Sequence, residues 1–364
     1  MSNDKFQIPN SKSQTKSKIQ IPNYKKILIV RLDRIGDVLL STPVIKALRD
    51  SYPESHIAFM VRPYARDIVE GNPYLDEVII YDKAGSEKGI MGTIRFAKKL
   101  KSMKFDVVII LHPTSRTNLV VFLAGIPQRI GFDRKWGVLL SKKISHTKQF
   151  GLKHEIDYTL GILSCIGIEA RDRSLYMPIK RSSEEGVAAI FRESGIGMDD
   201  IVVTINPGAS CPSKRWRAEK FAGVANGLIE KYKAKIVIIS DKKDKVFGDK
   251  MASLVKAECL NLCGDTTISD IASVLRRSNL LISNDSGPVH IACAVDTPVI
   301  SIFGRSDRGL SPQRWGPSGD KSVVLHRDVG CDICLAHNCK NGFKCLESIA
   351  ISDVVEAADK LLGE

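Results

Sequence analysis

The stretch Leu280–Ala292, LLISNDSGPVHIA, decides how this chain is read. An apolar run, Leu280-Leu281-Ile282, breaks into the polar corner Ser283-Asn284-Asp285-Ser286-Gly287. Pro288 then opens an apolar-periodic segment through Val289, Ile291, Ala292 and Val295. That order predicts a buried strand, a tight turn and the start of a helix. Asp285 or Ser286 can cap the helix, Pro288 fits its first turn, and Gly287 lets a ligand approach the backbone. Unpaired N–H groups and the positive end of the helix dipole would then face an anion, most usefully a phosphate. The same residues also describe an ordinary capped helix after a buried strand, so the rest of the chain must decide.

Outward from this stretch the same alternation recurs. Ile201–Ile205, Lys235–Ile239 and Pro298–Phe303 read as further strands, with helices over Ala218–Tyr232 and Ile268–Arg276. An earlier series begins at Lys26. Its first strand is Ile27-Leu28-Ile29-Val30, followed by the loop Arg31–Asp37 and a helical pattern through Val38, Leu39, Val44, Ile45 and Leu48. Apolar runs follow at His56–Val61, Glu77–Tyr81 and Asp106–Leu111, with a helix-like segment at Thr93–Leu100. Such repetition predicts an α/β protein with parallel sheets covered by helices on both faces. We expect one Rossmann-like domain over residues 26–175 and a second over residues 176–351, joined near the charged stretch Arg171–Ser183. A closing helix over residues 352–364 could pack on either. Facing one another, the domains would place their C-terminal strand ends across a cleft, where ligands of this architecture bind.

The totals fit this plan. At 364 residues the chain is long for one core, and 43% hydrophobic with 26% charged residues is the composition of a globular protein. No apolar run reaches membrane-spanning length and the N-terminus lacks a signal-peptide stretch, so a cytoplasmic protein is expected. The formal charge is +13, and residues 1–26 carry six lysines against one aspartate. Residues 1–25, with FQIPN and IQIPN flanking a Ser/Lys/Gln stretch, read as a disordered basic tail. A basic balance suits nucleic acid, an anionic membrane surface or a phosphorylated substrate, and composition does not choose among them. Nine cysteines without a secretory signal argue for reduced thiols.

Three stretches carry chemistry. Gly36-Asp37 closes the first loop at a helix start, where a carboxylate at a cleft edge can serve as general base or merely cap the helix. Asn206-Pro207-Gly208-Ala209-Ser210 follows a strand and leads into Lys214-Arg215-Trp216-Arg217, a turn with backbone donors beside cations that could neutralise a diphosphate. Cys331-x-x-Cys334, Cys339 and Cys345 crowd into a loop over residues 331–345 with His337 among them; a structural zinc, free thiols and a local disulfide are all compatible with this spacing. The dinucleotide fingerprint G-x-G-x-x-G, the P-loop and any Asp-x-Asp are missing from the chain. The last matters because carboxylates of that kind hold a divalent metal against a nucleotide diphosphate, and cations with helix N-termini are the alternative.

Taken together, ILIVRLDRIGDVLLSTPVIKALR, LHPTSRTNLVVFLAGIPQRIGF, NPGASCPSKRW, SNDSGPVHIACAVDTPVISIFG and the Trp315-Gly316-Pro317 triplet resemble glycosyltransferase family 9, the ADP-heptose:lipopolysaccharide heptosyltransferases. The resemblance runs from about Lys26 to near the end and is greatest to the heptosyltransferase II branch, Cys-rich loop included. It implies a GT-B fold and inverting transfer with no metal or other cofactor required. Asp37 falls at the family's catalytic base, and Lys214 at the lysine that binds donor phosphate. Asp285, Ser286 and Gly287 match the donor loop, with His290 one helical turn on; Gly36, Ser210 and Arg215 are placed with them. The turn Ser240-Asp241-Lys242-Lys243-Asp244 lacks the glycines of many relatives, so Asp244 is the expected ribose ligand in a pocket of altered shape. The acceptor is expected against the first domain near His112–Asn118, with Arg34 and Arg129 assigned to it on architecture alone.

The function expected from this is transfer of heptose from ADP-heptose to the lipopolysaccharide inner core, at the cytoplasmic face of the inner membrane by a peripheral enzyme. An anionic membrane surface and an anionic acceptor would suit the charge. A transferase of the same family using another nucleotide sugar for a different surface glycan is the alternative. A nucleic-acid-binding protein with a Cys₄ metal knuckle would explain the charge and cysteines but gives the other motifs no role, so no nucleic-acid partner is expected.

Overall fold

A computed structural model of the chain describes residues 22–331, 334 and 339–363. Most of the expected basic tail, and His337, lie outside the described residues. Among the described residues, twelve strands form two sheets of six. The first sheet contains β1 (Lys26–Val30), β2 (His56–Val61), β3 (Glu77–Ile80), β4 (Val107–Ile110), β5 (Gln128–Phe132) and β6 (Lys142–Ile144). The second contains β7 (Val202–Asn206), β8 (Lys235–Ile238), β9 (Leu260–Asn261), β10 (Leu280–Asn284), β11 (Val299–Phe303) and β12 (Ser322–His326). Every pairing is parallel. The two orders are β3-β2-β1-β4-β5-β6 and β12-β11-β10-β7-β8-β9, which are one and the same Rossmann order used twice.

The strands at the centre of each sheet are buried on both faces, which is why Ile27–Val30, Val107–Ile110 and Leu280–Ile282 read as continuous apolar runs. The sequence reading missed four strands: β5, β6, β9 and β12. Three are sheet edges. β6 is Lys142-Lys143-Ile144 with both lysines exposed, β9 has two residues, and β12 is only partly buried. β5 lies inside its sheet but opens with the polar pair Gln128-Arg129.

Helices agree closely, except that the pattern expected from Val38 to Leu48 is two helices, Ile35–Leu39 and Thr42–Ser51. Ala218–Tyr232 and Ile268–Arg276 form as expected, the latter begun by a capping box in which Thr267 and Asp270 bond each other's backbone N–H. The helix Gly89–Ser102 extends the expected segment at both ends. The closing helix, Ile351–Leu362, packs on Ala218–Tyr232 in the second half; Ile351 sits against Gly223, where a Cβ would lie only 2.5 Å from its Cδ1. Between the sheets, residues 169–180 carry neither helix nor strand, and the next helix begins at Arg181.

In each sheet the chain reverses direction of progression between two central strands, β1 and β4 in one and β7 and β10 in the other. Loops leaving such neighbours diverge to opposite faces and leave a crevice at the carboxyl end. The two halves meet there. One apolar cluster runs from Val38, Leu39 and Val44 of the first half to Val289, Ile291 and Ala292 of the second.

Candidate active site

Between the halves lies a cavity of about 570 Å³, walled by the loops after β1, β4, β7, β8 and β10. The loop after β1 enters a short helix, Ile35–Leu39. Arg34 precedes that helix and Asp37 falls within its first turn, so Asp37 is not the cap and its side chain lines the cavity. Beneath it lies Arg31, which is fully buried and divides its guanidinium among three carboxylates. Nε donates to Asp33 at 2.7 Å, Nη2 to Asp37 at 2.8 Å and Nη1 to Glu155 at 3.0 Å. Burial, then the neighbouring Asp33, push the Asp37 carboxyl up to about 6, against the pull of Arg31. A carboxylate so raised is ionised at neutral pH yet basic enough to take a proton. His112 meets Asp33 through Nδ1 at 3.1 Å; burial, then Arg31, keep this imidazole neutral, down at about 4.

The other wall is cationic. Lys214 Nζ lies 2.7 Å from the Asp285 carboxylate and 3.2 Å from its carbonyl oxygen, and Arg305 Nη2 approaches the same carboxylate at 3.3 Å. Two cations share one carboxylate, which leaves net positive charge, and Arg305 Nε is buried without a partner. Burial pushes the Lys214 ammonium below its ordinary value. The expected capping by Asp285 or Ser286 does not occur. Asp285 is held by the two cations, while Ser286, although it precedes the helix Gly287–Ala294, makes no side-chain cap bond and accepts from Asn206 Nδ2 at 2.8 Å. Pro288 has no N–H and the Val289 amide donates to Ser286 O at 3.2 Å, so the Gly287 amide is the first-turn donor left for a ligand, and Ser286, Gly287 and Pro288 line the cavity. Asn284 fixes this loop to the one after β7: its Oδ1 accepts from Trp216 N at 2.9 Å and its Nδ2 donates to Pro207 O at 2.9 Å.

At the end nearest β8, the Asp244 carboxylate accepts from Ala209 N at 2.8 Å and from Arg215 Nη2 at 3.2 Å, and burial raises it. Arg215 stacks over the Phe247 ring, 4.0 Å from its centroid, and donates to Ala209 O. It does not line the cavity; it supports Asp244 from behind. Arg34, Gly36, Asp37, Ser210, Lys214, Asp244, Asp285, Ser286, Gly287 and His290 do line it. His290 is buried, and a Cβ on Gly36 would lie 2.7 Å from its Cδ2, so this ring faces the opposite half at the cavity floor. Burial holds it neutral, down at about 4. Arg129 is corrected: its Nε donates to Leu139 O at 2.7 Å, its Nη1 to the Ile126 and Pro127 carbonyls, and its plane covers Phe122, away from the cavity.

Sequence reasoning passed over Arg31, Asp33, Glu155, Arg305 and Arg314. Glu155 is wholly buried and takes Lys148 at 2.5 Å, Arg31 at 3.0 Å and Arg314 at 2.9 Å. Burial opposes its ionisation, yet Lys148, Arg31 and Arg314 hold it down at about 2. Arg314 belongs to the second half and Glu155 to the first, so this pair spans the cleft, and His154 Nε2 meets Gly316 O beside it at 3.0 Å. The one sequence signal was the Trp315-Gly316-Pro317 triplet next to Arg314.

The four loop cysteines are free thiols, with Asn341 Nδ2 and Phe343 N each 3.3 Å from the sulfurs of Cys331 and Cys339. Among the described residues no group of three or more ligands is placed to hold a metal. Cys334 and Cys345 complete the cluster, and burial, the first cause, raises the Cys345 thiol.

The description of glycosyltransferase family 9 (heptosyltransferase) matches residues 93–344. The chain belongs to glycosyltransferase family 9. It is therefore a glycosyltransferase, as the motifs implied, and the nucleic-acid-binding reading is set aside. It is 24% identical to lipopolysaccharide heptosyltransferase 2 of Salmonella typhimurium over 93% of this chain and 99% of that protein. Against lipopolysaccharide heptosyltransferase 3 of Escherichia coli the identity is 26% over 90% and 96%. A family 9 crystal structure from Veillonella parvula superposes with a TM-score of 0.83 at 27% identity, covering 93% of this chain and 97% of that one. The Escherichia coli ADP-heptose lps heptosyltransferase II structure gives 0.74 at 20% identity over 93% and 98%. The two-domain α/β architecture expected as GT-B is the one found.

Proposed function

We propose that this protein is an inverting heptosyltransferase that moves heptose from ADP-heptose onto the lipopolysaccharide inner core at the cytoplasmic face of the inner membrane. The observation that carries the reading is one cavity with a raised carboxylate, Asp37, from the first half and Lys214, Arg305 and an uncapped helix N-terminus from the second. Asp37 takes the proton from an acceptor hydroxyl as that oxygen attacks the anomeric carbon. The bond from that carbon to the diphosphate breaks on the far side, its electron pair leaves with ADP, and the configuration inverts. Lys214, Arg305 and the Gly287 end of the helix stabilise the departing charge, the role a metal plays in other transferases. Asp244 meets the ribose.

The acceptor side supports an anionic acceptor. Lys83 sits near both Arg62 and Arg116; burial first, then these two cations, lower its ammonium. Nε of Arg62 and of Arg116 is buried with no partner. Arg34 lines the cavity itself.

The test is ADP release from ADP-heptose with a heptose-lacking core acceptor, run beside a panel of other nucleotide sugars. The reading expects turnover with ADP-heptose and a loss of about 10²-fold or more in Asp37→Asn. Turnover only with a different donor would move the assignment to another glycan. No turnover with any donor, or an Asp37→Asn variant as active as the parent, would overturn it.

A further inference from the structure

The helix Gly89–Ser102, GIMGTIRFAKKLKS, contains no acidic residue. Its inner face, Thr93, Phe96, Ala97 and Leu100, is buried in the first half. Its outer face presents Ile90 and Met91, 79% and 77% exposed, with Ile94 beside them, and continues as Arg95, Lys98, Lys99 and Lys101. A helix that merely faces water places charges of both signs there. Trp136 and Val138, 54% and 84% exposed, follow β5 at the same end of the sheet. The helix Ser115–Leu123 stands between the two segments and ties both down: Arg116 bonds the carbonyls of Lys83, Glu87 and Gly89 on one flank, and Asn118 Nδ2 donates to Lys135 O at 2.8 Å on the other.

The acids beside this surface are held by their own neighbours. Asp82 and Glu87 bond the backbone of their own loop, Asp82 to Gly85 N at 2.9 Å and Glu87 to Asp82 N at 2.8 Å. Asp133 pairs with Lys143 at 2.9 Å. In the second half the helix Ala218–Tyr232 shows the contrast, since its Lys220 and Lys231 pair with Glu347 and Asp359. Ile90, Met91, Trp136 and Val138 come soon after β3 and β5, at the carboxyl end of the sheet where the cavity also lies, and Lys83 stands near Asp33 of the cavity lining.

We propose that this face, Ile90, Met91, Ile94, Trp136 and Val138 within their collar of lysines, docks onto an anionic phospholipid bilayer. Apolar tips enter the headgroup boundary while the cations meet lipid phosphates, the composition of an interfacial helix. Docked so, the protein holds its cavity mouth beside the membrane, where a lipid-linked acceptor is presented. The choice of partner rests on the acceptor proposed above, and the test needs no transfer chemistry, so failure of docking and failure of that reading are separable.

The full chain is titrated with vesicles of phosphatidylglycerol and phosphatidylethanolamine, and with phosphatidylcholine vesicles, by co-sedimentation and tryptophan emission. Binding to the anionic vesicles, weakened by high salt, with a blue shift lost in Trp136→Phe, is expected. Ile90→Ser/Met91→Asp should weaken binding by about tenfold or more while activity on a detergent-free, water-soluble acceptor stays at the parental level. Trp216 is buried and Trp315 lines the cavity, which leaves Trp136 as the exposed reporter on this face. No binding by the parent, equal binding to neutral vesicles, or parental binding by the double variant with Trp136 unshifted would each overturn the proposal; the last would assign the contact to another part of the chain.

Discussion

The acid limb of the pH profile is the most direct reading of the base. Asp37 is pushed up to about 6 by burial and by Asp33, with Arg31 opposing at 2.8 Å. Catalysis needs the ionised form, so about nine-tenths of the enzyme is competent at pH 7 and about one-tenth at pH 5. The rate constant kcat/KM should then fall about tenfold for each pH unit below the limb. Asp33→Asn removes a negative neighbour yet keeps an oxygen for Arg31 Nε and the contact to His112. With that charge gone, ionising Asp37 becomes easier, and the limb should move to lower pH by about one unit, or about 1.4 kcal/mol. His112 and His290, both held down at about 4, do not titrate near the limb and cannot supply it. Initial rates of ADP release at limiting donor, measured across the acid and neutral range for the parent, Asp33→Asn and Asp37→Asn, give the answer. A limb that stays put or moves upward in Asp33→Asn would refute the electrostatic argument.

Lys214→Ala should lower kcat by about 10²-fold or more, because its positive charge matters most as the diphosphate leaves; a change confined to donor KM would make it a ground-state contact instead. Gly36→Ala places a methyl 2.7 Å from His290 Cδ2 and should hold the halves apart, with kcat reduced about tenfold; His290→Ala in the same chain should recover most of it, as a double-mutant cycle would show. Glu155→Gln leaves Lys148, Arg31 and Arg314 around a neutral group and should cost about 3–5 kcal/mol by denaturant unfolding at pH 7. Glu155 is held at about 2 when folded, below its ordinary 4.5, so its stabilisation is complete above that ordinary value and fades as pH falls toward 2. The gap between parent and variant should therefore close on acidification.

Legibility in the sequence follows how local each signal is. Central strands are continuous apolar runs, and Asp37, Lys214 and Asp285–Gly287 stand at strand ends, where a parallel sheet puts ligands whatever the details. Edge strands such as β6, with two exposed lysines in three residues, have no pattern to find. Side-chain destinations are harder still. Arg215 stands beside Lys214 in sequence but turns onto Phe247, and Arg129 turns onto carbonyls of its own neighbourhood, because a long cation goes to the nearest acceptors rather than to the site. Glu155 is invisible for the opposite reason. Its partners stand at Arg31, Lys148 and Arg314, and only the fold brings them together.

That buried carboxylate also explains how two separately folded walls can act as one site. A buried ion cluster is a poor source of stability, since removing three cations and an acid from water costs about as much as their attraction returns. What the cluster does supply is position. Glu155 holds Arg31 Nη1, Arg31 in turn holds Asp37 by Nη2, and Arg314 reaches Glu155 only when the second half is seated on the first. Asp285 plays the matching part on the donor side, fixing Lys214 and Arg305 on one carboxylate. Arg305 and Arg314 both follow β11, so one segment of chain touches the leaving-group wall at one end and the network beneath the base at the other. Seating that segment thus aligns the general base and the diphosphate site together, and a displacement of residues 305–316 should disturb both at once.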